Sequence, residues 1–159
     1  MRFSTKEEYA QYAKQLFLEG YNCAQAIALA FSDFTNLSDE LSKKLSSPFG
    51  GGMGRMREVC GAVSGMFIVL GAIEGYDDIN DSDKKAELYK KVQKLAESFK
   101  DDNGSIICRD LLGLSDKKDS YVPSERTKEY YESRPCPDKV ASAALILADY
   151  LLTKENFED

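Results

Sequence analysis

Residues 57–74 read REVCGAVSGMFIVLGAIE, and this stretch decides the fold. Between Glu58 and Glu74 it carries no charged residue over a length of about four helical turns. A helix that is apolar on all sides belongs at the centre of a helical bundle. The sequence therefore predicts a central apolar helix over Arg57–Glu74, which should be the most buried helix of the protein.

The segments on both sides of this helix also show helical patterns, and no β-type alternation persists beyond a few residues. Further helices are predicted over about Lys6–Glu19, Cys23–Phe34, Ser38 to before Pro48, Asp83–Lys100, a short segment that ends at Leu112, and Cys136–Leu152. The polar segment Asp116–Arg134 is predicted to be irregular. These patterns predict an all-α fold, a single domain over residues 1–159 that forms an irregular or orthogonal bundle of six to eight helices.

The composition excludes several classes of function. The chain has 159 residues, with 21 Lys and Arg against 27 Asp and Glu, so its net charge is −6. An acidic chain lacks the basic face that a nucleic-acid-binding protein needs, so no nucleic-acid partner is expected. There is no histidine. This excludes Ser-His-Asp and Cys-His catalysis, histidine-containing metal sites and haem attachment through CxxCH.

The sequence also predicts where the protein resides. No stretch approaches the roughly 18 apolar residues of a membrane-spanning helix, so no membrane insertion is expected. Residues 1–8, MRFSTKEE, contain no apolar core of a signal peptide. We therefore expect a cytoplasmic protein, in which thiols are kept mostly reduced.

The four cysteines are the main candidates for chemistry. Cys23, Cys60, Cys108 and Cys136 are separated by 37, 48 and 28 residues, without a CxxC pair. Cysteines with this spacing could simply be four small buried hydrophobic residues. However, each of them falls near a predicted helix start, where unpaired N–H groups and the helix dipole lower the pKa of a thiol.

Several motifs resemble a known family. They are the segments NCAQA at 22–26, FGGGMGR at 49–55, CGAVSG at 60–65 and CRDLLG at 108–113, followed by the late Cys136. Together they resemble the bacterial and archaeal family of redox-active proteins with four cysteines, named for its C–GCAxxG–C–C signature. Cys60 to Gly65 fit the CGAxxG form of the central motif. The resemblance implies a redox role through the four cysteines, and a functional link to a transporter, because members tend to be encoded near transporter genes.

The glycine-rich segment is a second candidate site. Four glycines in five positions, Gly50–Gly54, precede Arg55, and converging backbone N–H groups there could hold an anion or phosphate. The candidate ligand-binding residues are Gly51, Gly52, Gly54 and Arg55. The alternative is a chain crossing at which only glycine fits. In either case Gly51 or Gly52 is expected to have a positive φ. The small residues of Gly61-x-x-x-Gly65 indicate close helix packing, or else room for a cofactor beside Cys60.

These observations favour a redox protein in which at least three of the four cysteines lie in one pocket. They would act as a thiol/disulfide couple with a redox partner protein or small-molecule electron donor, or as ligands of an iron–sulfur cluster, zinc or another metal. Either redox role would make the chain an oxidoreductase. Cys60 or Cys136 is the expected attacking thiol. The alternatives are a metal-binding or transport-accessory protein without redox activity, and a helical module that binds a small ligand at the glycine-rich segment.

Overall fold

A computed structural model describes residues 1–114 and 119–153, and within these ranges the protein is helical, as predicted. The helices are α1 (Lys6–Leu18), α2 (Cys23–Ala30), α3 (Ser32–Thr35), α4 (Asp39–Ser46), α5 (Gly50–Met53), α6 (Gly61–Glu74), α7 (Ser82–Asn103), α8 (Cys108–Leu112), α9 (Lys128–Ser133) and α10 (Cys136–Thr153). A 3₁₀ turn, Ser47–Phe49, precedes α5. The β-type pairing within the described ranges is an isolated antiparallel bridge between Val59 and Ile107.

The first two helices begin where their capping residues predict. The Thr5 side chain accepts a hydrogen bond from the Glu8 backbone N–H, and the Glu8 carboxylate accepts one from the Thr5 backbone N–H. Asn22 and Gln25 form the same reciprocal capping box at the start of α2. Each box satisfies backbone donors that a helix start leaves unpaired. In α2 this local rule places Cys23 at the first helical position.

Helix α6 is the central apolar helix, but it begins at Gly61, so the predicted start at Arg57 is wrong. The helix cannot start earlier, because Arg57 has a left-handed φ of 59° and Val59 pairs with Ile107. The first six residues of α6 are buried on all sides, whereas Gly71 and Ala72 near its end are exposed. Complete burial thus applies to the first half of the helix.

Close packing explains the small residues of α6. A Cβ atom added at Gly65 would lie 2.8 Å from the Ile27 Cβ and 3.1 Å from the Ala24 carbonyl oxygen. Real side chains do not pack this tightly, so glycine is required for α6 to lie against α2. Helix α2 is itself buried over most of its length, and α1 packs along α10 to complete the core.

Two other predicted boundaries differ from the structure. The predicted helix Cys23–Phe34 is interrupted at Phe31, which has φ −105° and ψ 17° and separates α2 from α3. The segment expected to be irregular, Asp116–Arg134, contains α9, capped by the Thr127 side chain. Residues 116–118 of that segment lie outside the described residues. No helix in the described part of the chain combines the length and apolarity needed to cross a membrane.

Candidate redox site

The glycine-rich segment forms a left-handed turn. Gly51 and Gly52 both have φ 68°, and Gly54 has φ 65°, so the predicted positive φ is confirmed. Met53 and Arg55, between and after them, have φ 67°. This conformation costs a residue with a Cβ atom about 1–2 kcal/mol, which explains why three of the five residues from 51 to 55 are glycine.

The turn brings the backbone against a cysteine. A Cβ atom added at Gly52 would lie 2.5 Å from the Cys108 Cβ and 2.9 Å from the Arg57 Cα. A Cβ atom added at Gly61 would likewise lie 3.0 Å from the Cys23 Cβ and 2.8 Å from the Phe49 carbonyl oxygen. The chain-crossing interpretation of the glycine-rich segment therefore holds at Gly52, and two of the four cysteines pack directly on glycine.

The isolated bridge positions the two central cysteines. Val59 pairs with Ile107, and each cysteine is the next residue in the chain after one of them. The Cys108 N–H donates a hydrogen bond to the Glu58 carbonyl (2.6 Å), and the Cys60 N–H donates one to the Ile106 carbonyl (2.8 Å). Cys60 then caps α6, and Cys108 is the first residue of α8.

All four cysteines line one cavity of about 50 Å³, which confirms the prediction that at least three would share a pocket. Each of them lies within one residue of a helix start, as the sequence predicted. Cys60 and Cys108 are buried, with 6% and 8% of their surface exposed, whereas Cys23 and Cys136 are half-buried. All four are free thiols.

The Cys23 and Cys136 thiols form an asymmetric pair. The pKa of Cys136 is lowered to about 7, chiefly because its thiolate accepts a hydrogen bond from Cys23, and also because Arg134 and Arg126 lie nearby, although burial opposes the change. The same hydrogen bond, together with burial, holds the pKa of Cys23 well above its usual value. When the pair loses its first proton, Cys136 therefore carries the negative charge and Cys23 stays protonated.

Cys60 and Cys108 have a different environment. Burial raises the pKa of Cys60 to about 12. Burial also raises the pKa of Cys108, against the effect of the Arg57 guanidinium, which donates a hydrogen bond to the Cys108 Sγ at 3.6 Å. Both groups are therefore protonated thiols at neutral pH.

The metal-site predictions are not supported by this arrangement. In residues 1–114 and 119–153, no group of three or more potential ligand side chains is arranged to hold a metal ion. The binding of zinc or an iron–sulfur cluster by Cys23, Cys60, Cys108 and Cys136 therefore stays a prediction.

A second cavity, of about 230 Å³, adjoins the first and is lined by Arg55, Arg57, Arg126 and Arg134. Arg126 and Arg134 come from the segment that the sequence predicted to be irregular, and sequence reasoning did not single them out. The one available signal was the position of Arg134, two residues before Cys136. Of the predicted ligand-binding residues, Gly51, Gly54 and Arg55 line this larger cavity, and Gly52 lines the cysteine cavity. Their role in binding a ligand stays a prediction.

Comparison with known proteins identifies a family. A family model named C_GCAxxG_C_C and described as "Putative redox-active protein" matches residues 21–150. The match spans most of the chain and includes all four cysteines and the left-handed turn. No curated protein and no solved structure matches the chain.

Proposed function

The chain belongs to the C_GCAxxG_C_C family, and we propose from this premise that it catalyses thiol–disulfide exchange through Cys136 and Cys23. Cys136 is the attacking thiolate, and Cys23 is the thiol that resolves the mixed disulfide. The single observation that carries the proposal is the cavity that all four cysteines line, in which interaction with Cys23 lowers the pKa of Cys136.

The surroundings of Cys136 support its role as the nucleophile. Thiolates, not thiols, attack disulfides, and an attacking thiol works best when its pKa is close to the ambient pH. A pKa of about 7 meets this condition. Its place at the start of α10 adds the favourable end of a helix dipole. Cys60, the other attacking residue that the sequence favoured, is disfavoured because burial raises its pKa to about 12.

The reaction balances without a metal or an external cofactor. The Cys136 thiolate attacks one sulfur of a substrate disulfide, forms a mixed disulfide and releases the other half as a thiolate. Cys23 then loses its proton to solvent or to the departing thiolate and attacks the Cys136 Sγ. This step forms the Cys23–Cys136 disulfide and releases the second half of the substrate. The protein dithiol loses two electrons, and the substrate disulfide gains them.

The proposed cycle also needs a reductant from outside the protein. A separate thiol donor, either a redox partner protein or a small molecule, would reduce the Cys23–Cys136 disulfide and complete the cycle. A cytoplasmic location and a functional link to a transporter stay predictions from the sequence and the family resemblance.

Peptide mapping tests the proposal directly. Reduced protein is treated with the neutral disulfide 2-hydroxyethyl disulfide, quenched with an alkylating agent and digested for mass spectrometry. We expect a disulfide between Cys23 and Cys136, with Cys60 and Cys108 recovered as alkylated thiols. A disulfide that links a different pair, or no disulfide at all, would contradict the proposal.

Two serine variants distinguish the attacking cysteine from the resolving one. Cys23→Ser should accumulate a mixed disulfide on Cys136, because the second step is blocked. Cys136→Ser should form neither product, because the attacking group is absent. Cys108→Ser is the matched control, since it removes a cysteine from the same cavity and should still form the Cys23–Cys136 disulfide.

A further inference from the structure

The larger cavity is strongly cationic, although the protein as a whole is acidic. Four arginines line it, and none of the described residues that line it is Asp or Glu. The chain has a net charge of −6, so this concentration of positive charge opposes the overall balance. A concave site with charge of one sign focuses the electric field and attracts ligands of the opposite sign.

The positive charge in this cavity is incompletely neutralised. Arg55 and Arg57 share one carboxylate, that of Asp119, at 3.1 and 3.0 Å. The Nε atom of Arg57 is buried and has no hydrogen-bond partner in residues 1–114 and 119–153. A buried donor of this kind is costly unless a ligand or water satisfies it.

The other two arginines have no carboxylate partner within the described ranges of the chain. Arg126 donates hydrogen bonds to backbone carbonyls, and Arg134 lies 4.7 Å from the centre of the Tyr130 ring. Arg126 lies 4.9 Å from the same ring, so both guanidinium groups lie close to Tyr130. An anion in the cavity would face both groups.

The two cavities share part of their walls. Both are lined by Asn22, Gly51, Arg57, Arg126, Tyr130 and Arg134. The cysteine cavity, at about 50 Å³, has room for about four water-sized groups. A sulfur atom with its neighbouring carbon fits this space, whereas the charged remainder of a substrate needs the larger cavity of about 230 Å³.

We infer that the substrate is a small disulfide that carries carboxylate groups, with a sulfur in the cysteine cavity and a carboxylate among the arginines of the larger cavity. This inference rests on the proposed function and names its substrate class. The chemical step is the exchange described above. The substrate S–S bond breaks and the bond to the Cys136 Sγ forms, so the first half leaves as a thiolate that bears its carboxylate. The cationic cavity contributes by holding the substrate anion and aiming its sulfur at Cys136.

Three disulfides that differ in charge test the inference. 3,3′-Dithiodipropionate is anionic, 2-hydroxyethyl disulfide is neutral and cystamine is cationic at pH 7.5. The rate constant for formation of the Cys23–Cys136 disulfide is measured with each at low ionic strength. We expect the anionic disulfide to react about tenfold faster than the neutral one, and the cationic one to be slowest. A non-specific effect of the net charge would give the opposite order.

Two variants test whether the preference for anionic disulfides arises in the larger cavity. Arg134→Gln should reduce the ratio of anionic to neutral rate constants several-fold. This ratio is informative because a change in the ionisation of Cys136 alters both rate constants equally and cancels. Lys128→Gln is the matched control: it removes one positive charge from the adjacent α9, at a side chain that is 83% exposed and lines neither cavity. It should leave the ratio unchanged.

The outcomes separate the inference from the function on which it rests. If none of the three disulfides produces the Cys23–Cys136 disulfide, the proposed function fails. If the neutral disulfide reacts but the anionic one has no advantage, the function stands and the substrate inference is overturned. An equal loss of the ratio in the Arg134 and Lys128 variants would also overturn it, because the preference would then not reside in the cavity. A preference that falls only in the Arg134 variant supports it.

Discussion

The two pairs of cysteines that share one cavity have opposite chemical characters. Cys23 and Cys136 are half-buried, and interaction with Cys23 lowers the pKa of Cys136 to about 7. Cys60 and Cys108 are buried on the inner side, and burial raises the pKa of Cys60 to about 12. Four identical side chains at four similar helix starts therefore differ because of what surrounds them.

The comparison shows that a helix start alone does not activate a thiol. Cys60 caps α6, and Cys136 begins α10, so both have a helix dipole that favours the thiolate. For Cys60 the loss of hydration is larger than this effect. Cys136 has in addition a thiol donor and nearby arginines, which together outweigh its burial.

The largest expected difference between the pairs is in alkylation. At pH 7 a thiol with a pKa of about 7 is about half ionised, whereas one with a pKa of about 12 is ionised in about one molecule in 10⁵. Iodoacetamide should therefore modify Cys136 first in the folded protein and leave Cys60 unmodified over the same period. Peptide mass spectrometry over a time course measures both rates. In urea all four cysteines should react at similar rates, and rapid labelling of Cys60 in the folded protein would contradict the distinction.

The next largest effect is expected at the glycine that packs on the inner pair. Gly52→Ala would place a Cβ atom 2.5 Å from the Cys108 Cβ, at a residue with φ 68°. We expect a loss of about 2–5 kcal/mol in the free energy of unfolding, from backbone strain and overpacking together. Denaturation in urea measures it.

Gly54→Ala is the matched control for this prediction. Gly54 also has a positive φ, of 65°, but an added Cβ atom there would come no closer than 3.8 Å to the Pro48 carbonyl oxygen. Gly54→Ala should therefore lower the free energy of unfolding only by the backbone strain, about 1–2 kcal/mol. Equal losses for the two variants would show that the contact with Cys108 is not what requires glycine at position 52.

The smallest effect expected is a pH dependence of stability with opposite signs for Cys136 and Cys60. An unfolded cysteine has a pKa of about 8.5. Because the folded pKa of Cys136 is lower, at about 7, folding releases its proton between these values, and its contribution to stability should rise with pH through this window. Because the folded pKa of Cys60 is higher, its contribution is complete below pH 8.5 and should fall as the pH rises above that value.

Serine variants assign these two slopes. Each fully shifted thiol changes the free energy of unfolding by at most about 1.4 kcal/mol per pH unit. Urea denaturation between pH 6 and pH 10 should show that Cys136→Ser removes the rise near pH 7–8.5, whereas Cys60→Ser reduces the fall at higher pH. The same profile in both variants would mean that the two thiols do not differ in the way described.

Local rules in the sequence were sufficient for much of the fold. The absence of charge in the stretch before Glu74 predicted the central helix, and capping residues such as Asn22 predicted helix starts to within a residue. The start of α6 was misplaced because the pairing of Val59 with Ile107 joins residues 48 positions apart, and no local pattern reports such a contact. Helix α9 was missed because its polar composition resembles that of a loop.

The sequence by itself determined the four cysteines, their positions at helix starts and the absence of histidine, since these depend on residue identity and on short-range capping. Only the tertiary structure decided which thiol is activated. That choice depends on burial, on the contact between Cys23 and Cys136, and on arginines such as Arg126 and Arg134 that pack around the cavity. Hydration and charge act through space, so residues far apart in the chain set the pKa of a thiol, and only their packing brings them together.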